Sequence, residues 1–591
     1  MPNEIYHRSE WGNPNPEGWG DIYFDPAATN KLYNHSDYYE NSDGTDKILR
    51  DIPNKASIVL TPTAYSDGSI NTVIPPYQVL PTELVTNGTF DTDSDWTKGT
   101  GWSISNGKAS RTSQSGSTAC DQSISLIAGR KYKIIYTLTI NAGSFNVRFS
   151  GTTNVNGLTR TTSGTYTDFL VAATGNNTFR LVGADGSFVG SIDNVSVKEV
   201  QEADFDFSRG SSATRVNEKG LIEDVASGIP RIDYTTGFGS WLLEPQRTNS
   251  LLQSNQFDTT WTLSAGTDLT SGQTGVGGSD NAWLLKKNTT GSRYIQQSLS
   301  LSSAQYSYSV YLKAESTNWA YIWSYDGAAS VNAYFDLENG VVGQTGGVAF
   351  DGTKIESVGN GWYRCTLIYT HAPDLVRIYP ADADGSVSTG TDNGIFIQYA
   401  QLEAGSYQTS IIKTEGSTVT RAAETANNSG NADLFNDSEG VLYAGVSTLV
   451  SGSETRVISL SGGSQSVNNI YLNFNSSGTL SSQVLTSGGN VNLSAPNIKQ
   501  TLQNKLAVKY KANDCALWIN GFEIDTDTSM SSTPTGLDRL NFDFGAGSLD
   551  FYGKTKELAV FKEALTDAEL ESLTSWVSFT EMANDLEYTL E

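Results

Sequence analysis

Short runs in which apolar and polar residues alternate recur along most of this chain of 591 residues. In YSYSVYLKA, for example, Tyr308, Val310 and Leu312 occupy every second position, and the positions between them hold Ser309, Tyr311 and Lys313. Successive side chains of a β-strand point to opposite faces, so this alternation predicts a strand with two distinct faces. Gly, Ser and Asn turn signals separate such runs, and long helical patterns are missing. The pattern therefore predicts an all-β chain built from tandem β-sandwiches.

One of these runs, NWAYIWSY, carries four aromatic residues at period two: Trp319, Tyr321, Trp323 and Tyr325. On a strand, all four rings project from the same face. Sugars stack their apolar C–H faces on such rings, so the row is a candidate glycan-binding platform. Four large rings would also fill a sandwich interior, and we expect Trp319 and Trp323 in the core with Tyr321 or Tyr325 at an edge. Periodicity shows that the rings share a face but does not say which face is buried.

The first 50 residues lack this alternation and are aromatic, polar and irregular. Two Trp-Gly pairs, at Trp11 and Trp19, flank a stretch whose Pro and Gly residues signal turns. Such a segment is not expected to form a core of its own. Its aromatic side chains could anchor in pockets of a partner protein or pack on the next domain of the same chain. We favour docking into a partner, with Trp11 and Trp19 as the candidate anchoring residues.

Composition narrows the range of partners. The 38 Lys and Arg residues against 64 Asp and Glu residues give a formal net charge of −26. A surface this acidic argues against nucleic acid and against anionic membranes as partners. No apolar run approaches the roughly 18 residues of a membrane-spanning helix, so no membrane insertion is expected.

Three cysteines occur, Cys120, Cys365 and Cys515, and each lies in a different predicted module. An odd number spread in this way is unsuited to a disulfide framework, so we expect three isolated thiols made in a reducing cytoplasm. The chain does not open with the charged and apolar regions typical of a secretory signal.

Two segments resemble a continuous stretch of bacteriophage surface proteins. They are ASIVLTPTAYSDGSINTVIPP, residues 56–76, and DFDFSRGSSATRVNEKGLIEDV, residues 204–225. In that family the first segment leads almost directly into the second, whereas about 120 residues separate them here. The resemblance implies a virion surface protein, and it marks the separating residues as an inserted module.

The inserted module opens with LVTNGTFDTDSDW and closes with FVGSIDNVSVKEV. These ends resemble those of jelly-roll carbohydrate-binding modules, which begin with Asn-Gly-x-Phe-(Glu or Asp) followed by Trp and end in strands like Asp-Asn-Val. In those modules an acidic residue of the first motif and the Asp of the last strand often hold a structural calcium ion. The resemblance implies a calcium site at Asp91 and Asp193, and a solvated acidic turn is the alternative.

The rest of the chain carries two further resemblances. Residues 249–421 resemble the β-sandwich that follows the SRGSSATR phrase in the phage family. LAVKYKANDCALWINGFEI followed by GKTKELAVFKEALTDAELESL resembles the concanavalin-A-like, laminin-G-type lectin fold. In this region Asn520-Gly521 is predicted to form a hairpin turn, and Thr566 with Glu569 a helix capping box.

The predicted organisation has six parts. They are residues 1–50, an irregular N-terminal anchoring segment; 51–82, the first half of the split phage-type segment; 83–200, the inserted jelly-roll module; 201–248, the second half of the split segment; 249–421, a second β-sandwich; and 422–591, a concanavalin-A-like sandwich with a short C-terminal helix.

Residue patterns for catalysis are sparse. None of the three histidines belongs to a Ser-His-Asp or HExxH motif, and no CxxC motif occurs. Glycoside hydrolysis needs only two carboxylates about 5 to 10 Å apart, and Glu523, Asp525 and Asp527 alternate in FEIDTDT. They follow the predicted Asn-Gly turn, which favours an exposed hairpin arm over a cleft. We therefore expect no enzyme.

These features favour a bacteriophage virion protein, as a tail fibre, head fibre or capsid decoration, made in the host cytoplasm. It would join other virion proteins through its N-terminal segment and bind host-surface or environmental glycans. Two alternatives stay open: a purely structural virion protein and a glycan hydrolase. Fibres in such families are commonly trimers, so a homo-oligomer is expected, although no heptad pattern specifies one.

Overall fold

The computed structural model describes residues 52, 55–74, 82–112, 118–184, 186–200, 203–452, 454–463, 467–545 and 547–576, and the backbone of two short strands nearer the N-terminus. Trp11 and Trp19, the candidate anchoring residues, lie outside the described residues. The chain forms two compact units. The inserted unit is Gln78–Glu202, and the main unit combines Met1–Tyr77 with Ala203–Glu591.

The strands before the inserted unit are β1 (Ile22–Phe24), β2 (Leu32–Asn34), β3 (Ala56–Leu60), β4 (Tyr65–Ser66) and β5 (Ser69–Ile70). The inserted unit contains β6 (Thr97–Lys98), β7 (Trp102–Ser105), β8 (Lys108–Arg111), β9 (Ala119–Ser123), β10 (Lys131–Ala142), β11 (Phe145–Ser150), β12 (Val155–Asn156), β13 (Gly164–Val171), β14 (Thr178–Gly183) and β15 (Val189–Glu199).

The main unit continues with β16 (Phe205–Ser208), β17 (Ala213–Val216), β18 (Ile222–Val225), β19 (Ile232–Asp233), β20 (Ser240–Leu243) and β21 (Arg247–Asn249). Next come β22 (Thr262–Leu263), β23 (Thr267–Gln273), β24 (Ala282–Lys287), β25 (Ile295–Ser298), β26 (Ala304–Ala314), β27 (Trp319–Tyr325), β28 (Ser330–Asp336), β29 (Val341–Gly346), β30 (Phe350–Ser357), β31 (Trp362–His371), β32 (Leu375–Ala381) and β33 (Gly394–Ala404).

The last strands are β34 (Val419–Arg421), β35 (Thr425–Asn427), β36 (Glu439–Thr448), β37 (Arg456–Ser461), β38 (Asn469–Phe474), β39 (Leu480–Thr486), β40 (Gly489–Ala495), β41 (Asn504–Lys511), β42 (Cys515–Ile519), β43 (Phe522–Asp527), β44 (Arg539–Asn541) and β45 (Gly553–Phe561). Among the described residues, a 3₁₀ turn spans Ala432–Leu434, and an α-helix, α1, spans Asp567–Thr574.

The inserted unit is a sandwich of two antiparallel five-stranded sheets, β13-β10-β15-β8-β7 and β12-β11-β14-β9-β6. Strand β10 shows how its sequence builds it, because Tyr132, Ile134 and Tyr136 are buried while Lys133 between them is exposed. These side chains share one core with Phe149 of the other sheet. Period-two alternation thus places one face of each sheet against the other.

The second sandwich lies in the main unit and pairs two six-stranded sheets. We call them the outer sheet, β22-β25-β32-β27-β28-β29, and the inner sheet, β23-β24-β33-β26-β31-β30. Strand β26 is the middle of the inner sheet, and Tyr308, Val310 and Leu312 point from it into the core. Its opposite face is buried as well, since Tyr311 packs with Ile411 in a separate cluster. The inner sheet is therefore covered on both faces.

The C-terminal sandwich combines a five-stranded sheet, β40-β39-β38-β37-β44, with a larger sheet in the order β19-β20-β45-β36-β41-β42-β43. Strand β3 also pairs with β45 of the larger sheet. Both halves of the split segment therefore contribute strands to the C-terminal sandwich, β3 from the first half and β19 and β20 from the second. Residues far apart in the sequence complete one sheet.

A buried network of charged side chains fastens the second half of the split segment to the link between the two sandwiches of the main unit. Arg231 pairs with both Glu244 and Glu424. Arg209 Nη1 donates to Glu424 Oε1 at 2.6 Å, and Arg421 Nη1 lies 2.9 Å from Glu244 Oε2. All five side chains are almost completely buried. Since a buried charge is tolerated only when it is paired, the five groups depend on one another.

The short helix α1 covers the outside of the larger C-terminal sheet. The hydroxyl of Thr566 accepts a hydrogen bond from the Glu569 amide, and the Glu569 carboxylate accepts one from the Thr566 amide. This is the capping box predicted from the sequence, and it is confirmed. The predicted hairpin turn is confirmed too, because Asn520 and Gly521 adopt φ values of 54° and 87° between two paired strands.

In the part of the chain that the structure describes, the regular secondary structure is almost entirely antiparallel strand, so the predicted all-β class of tandem sandwiches is confirmed. Within that part, no helix is both long enough and apolar enough to cross a membrane. Cys120, Cys365 and Cys515 are buried free thiols, as the cysteine count predicted.

Candidate functional site

The aromatic row of β27 lies on the outward face of the outer sheet. Ala320, Ile322 and Ser324 have no exposed surface and point into the sandwich core. The four rings that alternate with them, Trp319, Tyr321, Trp323 and Tyr325, are each half-buried on the other face. The expectation that Trp319 and Trp323 belong to the core is therefore wrong.

The reason lies in how the core is filled. The inner sheet supplies large rings to the interior, among them Tyr308 and Tyr369, which are fully buried. Packing at interior density leaves the facing strand room for small or branched side chains only. Ala320 and Ile322 fit that space, and two Trp rings in their place would overpack it. The large aromatic side chains of β27 consequently face outwards.

Rings of neighbouring strands pack around this row, and two of them, Tyr334 and Tyr379, are buried. Tyr321 lies opposite Tyr334 of β28 on one side and Tyr379 of β32 on the other. Its ring centroid is 4.3 Å from that of Tyr334 and 4.9 Å from that of Tyr379. Tyr294 continues the group, 5.1 Å from Tyr379. Cross-strand ring pairs of this kind hold one another in place on a sheet.

A second line of side chains crosses the same face and includes a cation. Register places Gln296, Arg377, Trp323 and Asn332 side by side on four adjacent strands. The guanidinium carbon of Arg377 lies 4.0 Å from the centroid of the Tyr294 ring and 4.5 Å from that of Trp323. Trp323 in turn stacks on Tyr325, with the two ring planes only 7° apart. We call this surface the outward aromatic face. It consists of Tyr294, Gln296, Tyr321, Trp323, Tyr325, Asn332, Tyr334, Arg377 and Tyr379, with Trp319 at one end.

The Trp319 ring packs closely against β29. A Cβ atom added to Gly343 of β29 would come within 2.6 Å of this ring, so the two strands are in close contact there. The Asp384 carboxylate lies beside the same glycine and accepts a hydrogen bond from the Gln344 amide at 2.7 Å. This end of the face is thus closed by β29 and carries negative charge.

The pKa values of three tyrosine hydroxyls of the face, Tyr321, Tyr334 and Tyr379, are raised, so these three stay protonated at physiological pH. Burial raises the pKa of Tyr379 to about 12, despite the opposing effect of Arg377. Burial also raises the pKa of Tyr321 well above its usual range, with neighbouring tyrosines adding to the shift. The pKa of Tyr334 is raised by burial and by Asp384 and Asp382. Neutral phenols can donate and accept hydrogen bonds, as ligand hydroxyls require.

The two residues predicted to hold calcium lie in the inserted unit. The Val195 amide donates to the Gly88 carbonyl at 2.9 Å, so the opening loop runs beside the last strand. Asp91 accepts a hydrogen bond from the Thr89 hydroxyl, and Asp193 accepts one from the Asn194 amide. Among the described residues no group of three or more His, Cys, Asp or Glu side chains could hold a metal ion. Calcium takes six to eight oxygen ligands, so these two carboxylates would need backbone and water oxygens to complete a site.

A Ser, a His and an Asp that are separated in the sequence meet in the second sandwich. Ser324 Oγ lies 2.8 Å from His371 Nε2, and His371 Nδ1 lies 3.7 Å from Asp326 Oδ2. Ser324 has no exposed surface, and His371 is also buried. A nucleophile must reach its substrate, so this group stabilises the core and offers no catalytic site.

The alternating carboxylates of FEIDTDT lie on β43, the last strand of the larger C-terminal sheet. Glu523 is exposed, Asp525 accepts a hydrogen bond from the Ser494 amide, and Asp527 accepts one from the Ser529 amide. The strand pairs with β42 as the second arm of the hairpin.

The sequence interpretation missed most of the outward aromatic face. Arg377 and Tyr379 alternate in VRIYP, and Tyr334 lies in the run SVNAYFD. These residues have the same period-two signal as the row of β27, but each run is short and contains few aromatic residues. Only the strand order β25-β32-β27-β28 brings them together, and that order is not readable from local patterns.

No protein-family model matches the chain, and no curated protein matches it. Some solved structures are similar. The CBM40 domain of Ruminococcus gnavus IT-sialidase, bound to alpha2,3 sialyllactose, is 18% identical, with a TM-score of 0.22, over 25% of this chain and 94% of that chain.

Two further structures are similar over a longer part of the chain. The CBM22-1-CBM22-2 tandem domain of Paenibacillus barcinonensis Xyn10C is 9% identical, with a TM-score of 0.19, over 55% of this chain and 98% of that chain. Domains LG4-5 of the mouse laminin alpha1 chain are 10% identical, with a TM-score of 0.18, over 52% and 96%. Likenesses this low carry no argument about what the chain binds.

Proposed function

We propose that this protein binds glycans on the outward aromatic face of its second sandwich, and that it does so without catalysing a reaction. The observation that carries the proposal is the orientation of β27, whose small residues face the core and whose aromatic row faces outwards. The packing contacts of this row are with other side chains of the same outward face and not with the sandwich core. The row provides accessible apolar surface for the C–H faces of a sugar.

The polar groups of the face supply what a sugar needs besides stacking. Gln296 and Asn332 stand on either side of Arg377 and Trp323, within the same line across the sheet. Their amides can both donate to and accept from hydroxyl groups. A binding site of mainly aromatic lining with a few placed polar groups is the usual composition of a small-ligand site.

The site is also held in position before any ligand arrives. Cross-strand ring contacts fix Tyr321, and the stack of Arg377, Trp323 and Tyr325 restricts the side chains around it. Side chains ordered in advance lose little entropy on binding. Sites built on strands are held more firmly than sites on loops.

A glycan array tests this proposal. The full chain should retain one or more saccharides, and a Trp323→Ala/Tyr325→Ala double variant should lose them. Phe522→Ala is the matched control, because Phe522 is an aromatic residue with 69% of its surface exposed on the C-terminal sandwich. Binding that survives in the double variant, or no binding by the wild-type chain to any saccharide, would show that the face is not a glycan site. The second result favours the purely structural alternative.

Absence of catalysis is part of the proposal and has its own measurement. Each saccharide retained on the array is incubated with the chain and assayed for new reducing ends. We expect none above the level without protein. Release of reducing ends that Glu523→Gln or Asp525→Asn removes would instead support the glycan hydrolase alternative.

The place of the protein in a virion depends on the resemblance of residues 56–76 and 204–225 to phage surface proteins. We propose that it is a virion surface component, assembled from a homo-oligomer and attached through its N-terminal segment. Labelled antibody to this chain should decorate purified virions, and a Trp11→Ala/Trp19→Ala variant should fail to join them. Normal incorporation of that variant would place the anchor elsewhere.

A further inference from the structure

We infer that the outward aromatic face selects saccharides that carry a negatively charged group, and that Arg377 binds that group. This inference rests on the proposed glycan-binding function and names the class of ligand. It begins from the position of Arg377, which register places between Gln296 and Trp323 in the middle of the face. A cation there is directly available to a ligand that lies on the neighbouring rings.

The hydrogen bonds of Arg377 go to neutral groups. Its Nε donates to Gln296 Oε1 at 2.9 Å, and its Nη1 donates to the Tyr379 hydroxyl at 3.2 Å. Among the described residues, no carboxylate lies within ion-pair distance of this guanidinium. By contrast, Arg209, Arg231 and Arg421 of the same unit are each paired with a glutamate. Within the described part of the chain, Arg377 is therefore a cation without a counter-charge, although the formal net charge of the whole chain is −26.

The geometry leaves donors of Arg377 for a ligand. A guanidinium has five N–H groups in a planar fork, and contacts within the described part of the chain use one on Nε and one on Nη1. The Tyr294 and Trp323 rings stack on its face and hold its orientation. A planar fork held in this way matches the two oxygens of a carboxylate or two oxygens of a sulfate.

The other charges of the face indicate how such a ligand lies. The Asp384 carboxylate closes the opposite end beside Trp319, while Asp382 next to it is paired with Lys287. Asp326 and Asp374 lie at the Tyr325 end, beside Gly327, whose carbonyl accepts a hydrogen bond from the Tyr325 hydroxyl. An anionic group would therefore be repelled at both ends of the face and attracted at Arg377 between them. The sugar ring would then contact Trp323 and Tyr325, with its charged group directed towards Arg377.

A neutral saccharide would use this face less well. Covering the Arg377 guanidinium with a sugar removes water from a charge and returns only neutral hydrogen bonds. Hydrogen bonds between ionised partners are roughly twice as strong as neutral ones. We therefore expect an acidic oligosaccharide to bind about tenfold to a hundredfold more tightly than its uncharged counterpart.

The test compares three probes on the full chain by calorimetric titration. They are an oligosaccharide of uronic acid residues, the same oligosaccharide with its carboxyl groups reduced to alcohols, and a sulfated oligosaccharide. The wild-type chain should bind the first at least about tenfold more tightly than the second. Affinity for the sulfated probe shows whether the face accepts either anionic group or a carboxylate only, and the inference holds in both cases.

Variants then locate the effect. Arg377→Met should bring the affinity for the acidic probe down to that for the reduced probe, and Arg377→Lys should recover part of the difference. Lys286→Met is the matched control, because Lys286 lies on the inner sheet and its loss changes the net charge equally. If Arg377→Met does not fold, Arg377→Lys decides, because it keeps the charge but lacks the planar fork and should bind the acidic probe more weakly than the wild-type chain does.

The outcomes separate this inference from the proposed function. Equal binding of acidic and reduced probes, abolished by Trp323→Ala/Tyr325→Ala, would overturn the role of Arg377 and leave the glycan site intact. A preference for the acidic probe that Arg377→Met leaves unchanged would do the same. Binding that neither Arg377→Met nor the aromatic double variant affects would overturn both.

Discussion

The stability of the main unit depends on individual charges in its buried network of arginine and glutamate side chains. Glu244 is fully enclosed, and burial by itself raises the pKa of a carboxyl group. The positive charges of Arg421 and Arg231, with hydrogen bonds from Ser410, outweigh burial and lower the pKa of Glu244 to about 2. The contribution of Glu244 to the network thus stabilises the folded state only while this carboxylate is ionised.

The sign of the resulting pH dependence follows from that lowered pKa. The contribution of Glu244 is complete above its unfolded pKa of 4.5 and is lost as pH falls from there towards about 2. The free energy of unfolding should drop by up to about 3 kcal/mol over this window. Glu244→Gln should be less stable by about 3 to 5 kcal/mol at neutral pH, since Arg421 loses its counter-charge and Arg231 keeps only Glu424.

Denaturant titrations at several pH values measure this contribution. Glu244→Gln should show a smaller loss of stability on acidification than the wild-type chain. Glu415→Gln, at an exposed position of the same region, is the control and should keep the wild-type profile. Identical acid sensitivity in all three proteins would mean that Glu244 does not titrate as described.

Calcium binding by the carboxylates of Asp91 and Asp193 is a second prediction at the residue scale. If Asp91 and Asp193 hold the ion, adding calcium should raise the melting temperature of the inserted unit in a saturable way. Binding to the folded state alone stabilises it by about 2.7 kcal/mol at a hundredfold excess over the dissociation constant. Asp91→Asn or Asp193→Asn should remove the effect. A melt that neither calcium nor a chelator changes would contradict it.

At the scale of elements, the important feature is which of the two faces of β27 is buried. The period-two pattern predicted the strand and the shared face of its four rings, because alternation depends on local geometry alone. It could not predict which face is inside. That choice depends on the volume already supplied by Tyr308 and Tyr369 of the inner sheet, which lie on other strands.

The other features of the fold divide in the same way, into those that depend on residues close in sequence and those that depend on distant residues. The capping box of α1 and the Asn520-Gly521 turn involve residues next to one another, and both were predictable. The charge network joins Arg209 to Glu424, more than two hundred positions away. No local pattern indicates such a partner. The chemistry of Arg377 depends equally on strand order.

Paired substitutions on β27 should give an order of stability that only the outward orientation predicts. Ile322→Ala removes a fully buried side chain and should cost about 2 to 5 kcal/mol. Trp323→Ala removes a larger ring but only its cross-strand and cation–π contacts, about 1 to 2 kcal/mol together. Equilibrium unfolding in denaturant measures both. If Trp323→Ala lowered the free energy of unfolding more than Ile322→Ala does, Trp323 would belong to the core, contrary to this account.

For the whole molecule, the division into two compact units has a consequence for folding. In the inserted unit, the Leu84 amide donates to the Val197 carbonyl at 2.9 Å, so its first and last segments run side by side. In the main unit, the Thr72 amide donates to Asp204 Oδ1 at 2.7 Å. The chain thus leaves and re-enters each unit at neighbouring points. Such ends are what an inserted domain needs, because a short connection can close them.

The inserted unit should therefore be removable. Residues 83–200 expressed alone should unfold in one cooperative transition. A chain in which residue 80 is joined directly to residue 203 should keep the melting transition of the main unit and its glycan binding. Circular dichroism and scanning calorimetry follow both proteins. Aggregation of the shortened chain, or a fragment without a cooperative melt, would show that the units depend on each other.

The central claim is that the outward aromatic face is the glycan site, and calorimetric titration of the strongest array ligand tests it most directly. The titration is made into the wild-type chain, Trp323→Ala/Tyr325→Ala and Phe522→Ala, with a thermal melt of each to show that it is folded. The account predicts at least a tenfold loss of affinity in the double variant, about 1.4 kcal/mol or more, and none in Phe522→Ala. Unchanged affinity in a folded double variant would contradict it.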